Sequence, residues 1–238
     1  MLDYSTIETR FCEILDLTRR PVAVAFRERP PIGIPKFAGE EPSGCSFWQL
    51  ASGGMTFYTV PADHRHCAMG CYTHKFPASP EHVEELKQVF SQLTSSGYIK
   101  MEGISSIPRM KKAPRAVVYS PLGNTPTDPD LVVFVTRPMQ AMVFQEAALK
   151  SGIGLQNASL GRPSCMSLPA ALNREMVTSA GCLGNRTYNG LSDDELYVLV
   201  PGTILQKIAD SLRGIAESNT KMTAYHRERH RSLRLPAE

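Results

Sequence analysis

The chain has 238 residues, of which 42% are hydrophobic and 21% are charged, and its formal net charge is +3. A chain of this length buries roughly 70% of its unfolded surface, so it needs no disulfide bonds to fold. The small net charge gives no case for binding to nucleic acid. No segment approaches the roughly 20 apolar residues that span a bilayer, and the first ten residues lack the apolar core of a signal peptide. We therefore expect a cytoplasmic protein with no nucleic-acid and no membrane partner.

The hydrophobic pattern predicts helices that alternate with strands. A helical stripe of apolar residues runs through 3–18 and ends before Pro21, and the apolar run 22–26 is typical of a buried strand. A loop rich in Pro and Gly follows at 27–44. The other expected elements are a short helix at 45–51, a strand at 55–60, a helix at 80–93 with Val83, Leu86, Val89, Phe90 and Leu93 facing inward, strands at 116–119 and 131–136, a helix at 138–150, a strand at 195–200 and a helix at 202–217.

The fold class follows from this order. Because strands and helices alternate only in part, the sequence predicts an α/β fold of mixed α+β type, in which a mixed sheet has flanking helices. The segment 151–190 is rich in Gly, Ser and Asn and predicts a long loop region, which is often functional. We expect a single domain over 1–238 that ends in a basic C-terminal tail at 222–238. This tail is expected to be solvated, and contact with an acidic partner or with the second subunit of a homodimer is the alternative.

Five of the six cysteines lie in segments that contain glycine. They are Cys45, Cys67, Cys71, Cys165 and Cys182. In a cytoplasmic chain, cysteines are expected to be thiols or metal ligands rather than disulfides. Neighbouring glycines allow a bulky inorganic group to approach the backbone and leave N–H groups free to hydrogen-bond sulfur. The sixth, Cys12, lies on the first amphipathic helix and is expected to fill the core.

The segment 64–74 holds the highest density of sulfur and imidazole groups. Cys67 and Cys71 are spaced i, i+4 and His74 follows at i+7, so on a helix these three would share one face. A helix that begins near His66 would lower the pKa of Cys67. The three histidines of the segment, His64, His66 and His74, are alternative metal ligands or proton shuttles.

Together these residues predict a thiolate-ligated metal site. The expected ligands are Cys45, Cys67, Cys71 and either Cys165 or Cys182. Four thiolates suit an iron–sulfur cluster, of which we favour [4Fe–4S]. Zinc and haem are the alternative cofactors.

Two arginines lie near cysteines in Gly-containing loops. Arg162 precedes Cys165 and Arg186 follows Cys182, and a guanidinium group binds carboxylate or phosphate through paired hydrogen bonds. With Asn185 these arginines predict a binding site for a small anionic ligand beside the metal. The alternative is that Arg186 anchors its loop to backbone carbonyls or to a carboxylate.

Three functions are open at this point. The leading one is an iron–sulfur protein, a possible oxidoreductase, that acts in electron transfer with a redox partner protein or reduces a small anionic molecule. The second is a metal-independent enzyme with Cys67 or Cys182 as nucleophile and His66 or His74 as base. The third is a small-ligand binding or regulatory module with structural zinc.

Several motifs of the chain resemble the prokaryotic family called domain of unknown function 169. The most distinctive is Ser-Ala-Gly-Cys-Leu-Gly-Asn-Arg-Thr-Tyr at 179–188. The segments 20–24, 161–165, 194–197, 200–202 and 224–229 fit the same pattern, so the resemblance spans nearly the whole chain. It implies a bacterial or archaeal protein that is not secreted, but no particular activity. It also marks Cys165, Cys182, Asn185 and Arg186 as family-like positions.

Overall fold

One mixed sheet organises the chain. The computed structural model describes residues 2–160 and 163–233. Within these residues the sheet has seven strands in the order β2-β3-β1-β4-β7-β6-β5. Their bounds are β1 Val22–Arg27, β2 Phe57–Thr59, β3 Ala116–Pro121, β4 Leu131–Thr136, β5 Leu155–Leu160, β6 Val177–Gly181 and β7 Leu196–Pro201. Neighbouring strands are antiparallel except for the parallel pair β5 and β6, so the predicted mixed sheet is confirmed.

Helices cover both faces of this sheet. In the same described ranges they are α1 Tyr4–Leu15, α2 Ser46–Ser52, α3 Ala68–His74, α4 Pro80–Ser95, α5 Pro138–Lys150, α6 Ser167–Arg174, α7 Leu183–Asn189 and α8 Leu205–Ser232. The Pro/Gly-rich segment 27–44 contributes no helix or strand beyond the end of β1. None of the described helices has the length and apolar character needed to cross a membrane.

The two faces of the sheet bury separate apolar cores. On one face α1, α5 and α8 pack over the sheet, and the rings of Phe11, Phe134 and Phe144 lie 4.6 to 5.1 Å apart between centroids. On the other face α2, α3 and α6 contribute side chains to a second core. Strand β4 contributes side chains to both cores, because alternate side chains of a strand point to opposite faces. The cysteines treated below lie on the side of α2, α3 and α6.

The segment 151–190 contains more regular structure than its composition predicts. It holds β5, α6, β6 and α7. Strand β6 lies between two other strands and is buried along its whole length, although Thr178 and Ser179 are polar. Small polar residues in a strand buried on both faces produce neither the alternation of a half-exposed strand nor a long apolar run. Periodicity therefore misses such a strand.

Helix α4 lies on the surface, contrary to the predicted inward face. Its described residues include no buried side chain, and Val83 is 43% exposed. Phe90 and Leu93 pack partly against a small apolar cluster around Ile99 and Ile107. The apolar stripe is therefore covered mainly near the end of the helix, where the ring of Phe90 meets that of Tyr72 on α3 edge-on at 5.4 Å between centroids, rather than by the sheet.

The last helix continues through most of the predicted basic tail. Helix α8 runs to Ser232, and the segment 234–238 lies outside the described residues. Its buried residues, Leu205, Ile208, Ala209 and Leu212, all lie in the first third of the helix. The basic part of α8 is therefore an exposed helix in the described chain.

Candidate functional site

Four cysteines from distant segments meet at short helical elements on one face of the sheet. Cys45, Cys67 and Cys182 occupy the N-cap positions of α2, α3 and α7. Cys165 lies in the 3-10 turn Ser164–Met166 that leads into α6. We call these four residues the cysteine cluster. None of the chain's six cysteines forms a disulfide.

The sulfurs of the cysteine cluster interact electrostatically with one another. Burial raises the pKa of Cys165 well above its usual value, and negative charge on Cys67, Cys45 and Cys182 raises it further. Burial and then Cys67 and Cys182 do the same for Cys45, and Cys182 also acts on Cys67. Each of the four thiols therefore interacts with the other three. The fold therefore brings together cysteines that lie far apart in the sequence.

Glycine amides surround the sulfur of Cys67. Burial raises the pKa of this thiol, whereas the backbone N–H groups of Gly44 and Gly70 lower it because they hydrogen-bond the sulfur. A Cβ atom on Gly70 would lie 2.7 Å from Cys67 Sγ, and one on Gly44 would lie 3.8 Å from it. The expectation that glycines leave N–H groups available to sulfur is confirmed here. The predicted net lowering of the Cys67 pKa is wrong, because burial outweighs the amides.

Asn185 connects three segments of the cysteine cluster. Its side chain is 2% exposed, and its Oδ1 accepts a hydrogen bond from Cys182 Sγ at 2.9 Å and another from Ser164 Oγ. The same side chain hydrogen-bonds Cys45 and opposes the effect of burial on the pKa of that thiol. Asn185, which the sequence pattern assigned to anion binding, hydrogen-bonds sulfur atoms of the cluster.

Sequence reasoning missed two hydroxyl groups at this site. Ser164 donates to Asn185, and Thr73 hydrogen-bonds Cys165, which lowers the pKa of that thiol against the effect of burial. Both residues are fully buried or nearly so. Their position in the sequence could have indicated this role, because each is a small hydroxyl residue beside or near a candidate ligand in a segment that contains glycine.

Cys71 stands apart from the cysteine cluster. Its Sγ donates to the backbone carbonyl of His64 at 3.2 Å, and the side chain packs in the apolar core. Burial raises its pKa to about 12, and of the six cysteines, all of which are described, Cys67 alone acts on it. The i, i+4 argument fails because Cys67 has the non-helical backbone angles φ −132° and ψ 74° of an N-cap. Only Cys71 lies within the helix, so the two side chains do not share its face.

The predicted histidines separate into two buried rings and one exposed ring. His64 Nε2 lies 2.8 Å from Thr59 Oγ1, and His74 Nδ1 lies 2.8 Å from the carbonyl oxygen of Gly70, to which it donates. Burial lowers the pKa of His64 to about 3 and that of His74 to about 4, so both rings are neutral. The side chain of His66 is 48% exposed, and its Nε2 lies 3.2 Å from Glu40 Oε2.

Comparison with known proteins gives a family but no activity. The sequence profile of domain of unknown function 169 (DUF169), described as an uncharacterised ArCR family, matches residues 10–211. The chain belongs to this family. It is also 26% identical over 215 residues to uncharacterized protein MJ0308 of Methanocaldococcus jannaschii, which covers 85% of this chain and 91% of the relative. No solved structure matches it.

In this DUF169 chain the guanidinium group of Arg186 hydrogen-bonds backbone carbonyls of the loop after α7. Arg186 Nη2 donates to the carbonyl of Glu195 at 3.2 Å, and Nη1 donates to the carbonyl of Ser192. It therefore anchors the connection between α7 and β7, which is the alternative role considered above. Arg162 lies outside the described residues.

The members of the cysteine cluster differ in burial. Cys45 and Cys165 are buried, whereas Cys67 and Cys182 are half-buried. Among residues 2–160 and 163–233, no group of three or more His, Cys, Asp or Glu side chains is arranged to hold a metal ion. The arrangement is thus a set of four thiols that act on one another electrostatically.

Proposed function

We propose that this DUF169 chain holds an iron–sulfur cluster on Cys45, Cys67, Cys165 and Cys182 and acts in electron transfer or in the reduction of a small anionic molecule. The observation that carries the proposal is the mutual interaction of four thiols that come from four separate segments. The sequence pattern favoured Cys71 together with either Cys165 or Cys182. The ligand set proposed here omits Cys71 and includes both Cys165 and Cys182.

A cationic centre explains why such thiols are gathered. Burial and mutual repulsion disfavour thiolate at Cys45, Cys67 and Cys165. A metal centre offsets this repulsion and binds the deprotonated sulfur, so metal binding releases protons. Thiolates are the usual ligands of iron–sulfur clusters, which exchange single electrons at a potential set partly by hydrogen bonds to sulfur. The amides of Gly44 and Gly70 supply such hydrogen bonds at Cys67.

Zinc is the alternative centre for the same four thiolates. Four thiolates at about 2.3 Å from one tetrahedral zinc lie about 3.8 Å from one another, whereas a cluster of several iron atoms separates its ligands more widely. Metal analysis of the purified protein distinguishes the two centres. Cys67 and Cys182, which are half-buried, would lie nearest to the electron donor or acceptor.

The surroundings of Cys67 count against it as the nucleophile of a metal-independent thiol enzyme. A cysteine nucleophile needs a lowered pKa, because the thiolate is the reactive form. Burial raises the pKa of Cys67, one of the two candidate nucleophiles. The candidate base His66 pairs with Glu40 on the surface instead.

Anaerobic purification tests the proposal. We expect a brown protein with visible absorption and with iron and acid-labile sulfide in matched amounts. Alanine substitution at each residue of the cysteine cluster should remove most of both elements. Cys12→Ala and Cys71→Ala are the matched controls, because neither residue belongs to the cluster, and both should retain iron.

Three outcomes would overturn the proposal. A colourless protein that takes up neither iron nor sulfide on reconstitution would exclude the cluster. Stoichiometric zinc in place of iron would support the binding module with structural zinc. Loss of iron in Cys71→Ala but not in Cys165→Ala would refute the ligand set derived from the structure.

A further inference from the structure

A patch of exposed cationic side chains lies beside the C-terminal end of α3. The segment 109–115 carries four of them within seven residues and holds no acidic residue. Contacts join two more to it. Lys75 Nζ donates to the carbonyl of Lys111 at 3.1 Å, and Arg29 lines a surface depression together with Lys112 and Arg115. We call this set the basic patch, and all of its members are exposed: Arg29, Lys75, Arg109, Lys111, Lys112 and Arg115.

The basic patch holds more positive charge than the chain as a whole. It has six cationic groups, whereas the formal net charge of the chain is +3, so the remaining residues together are net negative. Among the described residues, Arg29, Lys111 and Arg115 have no ion-pair partner. Glu28 lies 3.9 Å from Lys112 Nζ, and both side chains are at least 85% exposed, so this pair is weak. Such a surface attracts an anionic partner over long range.

Hydrogen bonds hold the basic patch in place against α3. Arg109 Nε donates to the carbonyl of Tyr72 at 3.0 Å, and its guanidinium group lies 4.4 Å from the centre of the Tyr72 ring. The backbone N–H of Met110 donates to the carbonyl of Thr73 at 2.8 Å. Because this backbone is already ordered, a partner that binds here does not have to order it.

Helix α3 connects the basic patch to the cysteine cluster. Cys67 is the N-cap of this helix and Lys75 is its C-cap, and a helix of seven residues is about 10 Å long. Thr73, which accepts the hydrogen bond from Met110, also hydrogen-bonds Cys165 of the cluster. A partner on the basic patch would therefore lie close to the site proposed to hold the iron–sulfur cluster.

The composition of the basic patch favours a protein partner over a nucleic acid. Sites for single-stranded nucleic acid stack bases on exposed aromatic rings. The segment 109–115 contains no aromatic residue, and the guanidinium group of Arg109 covers the neighbouring ring of Tyr72. Transient complexes between redox proteins, in contrast, have small interfaces, and complementary charges speed their formation.

We infer that the basic patch docks an acidic electron-transfer protein, which exchanges electrons with the centre on Cys45, Cys67, Cys165 and Cys182. The inference deepens the proposed function and rests on it for the electron exchange. Docking itself depends on the basic patch alone.

A peptide of ten glutamates with a fluorescein label tests docking in the iron-free, full-length protein by fluorescence anisotropy. We expect saturable binding that weakens as salt is added, because salt screens exposed charges. A labelled single-stranded DNA of ten nucleotides should bind more weakly. Equal or tighter binding of the DNA would assign the patch to nucleic acid and overturn the inference, and so would the absence of saturable binding of the peptide.

Two double variants locate the docking surface. Lys111→Glu/Lys112→Glu reverses two charges of the patch and should lower the peptide affinity about 10-fold or more. Arg229→Glu/Arg231→Glu makes the same change of charge on the exposed end of α8 and is the matched control, expected to bind within about 2-fold of the wild type at physiological salt. Both variants change exposed side chains and should keep the wild-type melting temperature. An equal loss in the two variants would show general attraction to a cationic protein and overturn the inference. A wild-type dimer that dissociates in the Lys111→Glu/Lys112→Glu variant, seen by sedimentation, would assign the patch to a second copy of the chain and also overturn it.

Stopped-flow oxidation of the reduced, iron-containing protein tests the electron exchange. In each encounter the reduced centre loses one electron, and the oxidant, ferricyanide or hexaammineruthenium(III), gains it. Lys111→Glu/Lys112→Glu should slow oxidation by the anion ferricyanide about 10-fold or more, because its attraction to the patch is lost, and should not slow oxidation by the cation hexaammineruthenium(III). Equal slowing with both reagents would refute a role of the patch in electron exchange.

Iron analysis of the same samples distinguishes this inference from the proposed function. Peptide binding that depends on Lys111 and Lys112 in a protein that takes up no iron would leave the docking surface and refute the iron–sulfur function. Bound iron and sulfide without binding of the peptide would refute the docking surface and leave the proposed function intact.

Discussion

The contact between Gly70 and the sulfur of Cys67 makes one substitution especially informative. In Gly70→Ala the new Cβ would lie 2.7 Å from Cys67 Sγ and 3.5 Å from its Cβ. A separation of 2.7 Å is far below van der Waals contact, so the helix or the sulfur has to move. Either movement displaces one of the four sulfurs proposed to bind the cluster. Iron content should therefore fall to the level of Cys67→Ala.

The free energy of unfolding can be estimated from two opposing effects. Replacing glycine by alanine within a helix stabilises by about 0.5–1 kcal/mol. Forcing an extra carbon into a packed site costs about 1–3 kcal/mol. Gly70→Ala should therefore lower the free energy of unfolding of the metal-free protein by roughly 1–2 kcal/mol. Gly184→Ala is the matched control, because its Cβ would lie 3.7 Å from Cys182 Sγ, an ordinary contact.

A double-mutant cycle isolates the contact. Urea unfolding of the metal-free, reduced protein is measured for the wild type, Gly70→Ala, Cys67→Ala and the double variant. When the sulfur is absent the new Cβ has room, so Gly70→Ala should become neutral or stabilising. We expect a coupling energy of about 1–3 kcal/mol. Additive effects of the two substitutions, or a Gly70→Ala protein with wild-type iron content, would refute the reasoning.

Two further predictions concern the buried polar groups around the cysteine cluster. The pKa values of His64 and His74 are lowered to about 3 and about 4 by burial, from an ordinary value of 6.5. The unfolded chain therefore binds more protons below pH 6.5, and stability should fall as the pH drops from about 6.5 to about 4, by up to about 1.4 kcal/mol per pH unit for each histidine. In urea unfolding of the metal-free protein from pH 7 to pH 5, His64→Gln should remove about half of this slope, and an unchanged slope would contradict the assignment. Asn185→Ala leaves Ser164 and Cys182 without their acceptor and should lower the free energy of unfolding by about 1–3 kcal/mol, whereas the exposed control Asn124→Ala should change it by less than about 0.5 kcal/mol. Equal effects of the two asparagine variants in the same urea assay would show that Asn185 does not hold the site together.

Local pattern predicts most elements of the chain because their hydrophobic periods are strong. The stripe of Ile7, Phe11 and Leu15 is buried in α1 as expected, and α5 begins and ends where Pro138 and Lys150 indicated. Strands β1 and β4 are apolar runs that no helix period fits. The region 151–190 escaped this reading because β6 carries Thr178 and Ser179 in its buried interior. Hydrophobicity alone does not reveal a buried strand of small polar residues whose backbone pairs with a strand on each side.

Part of the candidate site was also predictable from local sequence. Gly70, three residues after Cys67, indicated close approach to sulfur, and the family-like motif around Cys182 and Asn185 marked residues that touch one another. The choice among the cysteines was not predictable. Whether Cys71 or Cys165 joins the others depends on the direction of each side chain. A difference of one position at a helix start reverses that direction.

The sequence by itself determined where the thiol and imidazole side chains lie along the chain, where its main helices and strands lie, and to which family it belongs. Tertiary structure alone decided that β6 and β7 pair, and that the starts of α2, α3 and α7 and the turn before α6 bring four thiols within electrostatic range of one another. The physical reason is the distance along the chain between the residues that interact. Helix and strand periods, caps and turns arise from interactions within a few residues, whereas a site built from residues 45, 67, 165 and 182 exists only once the order of strands in the sheet is set.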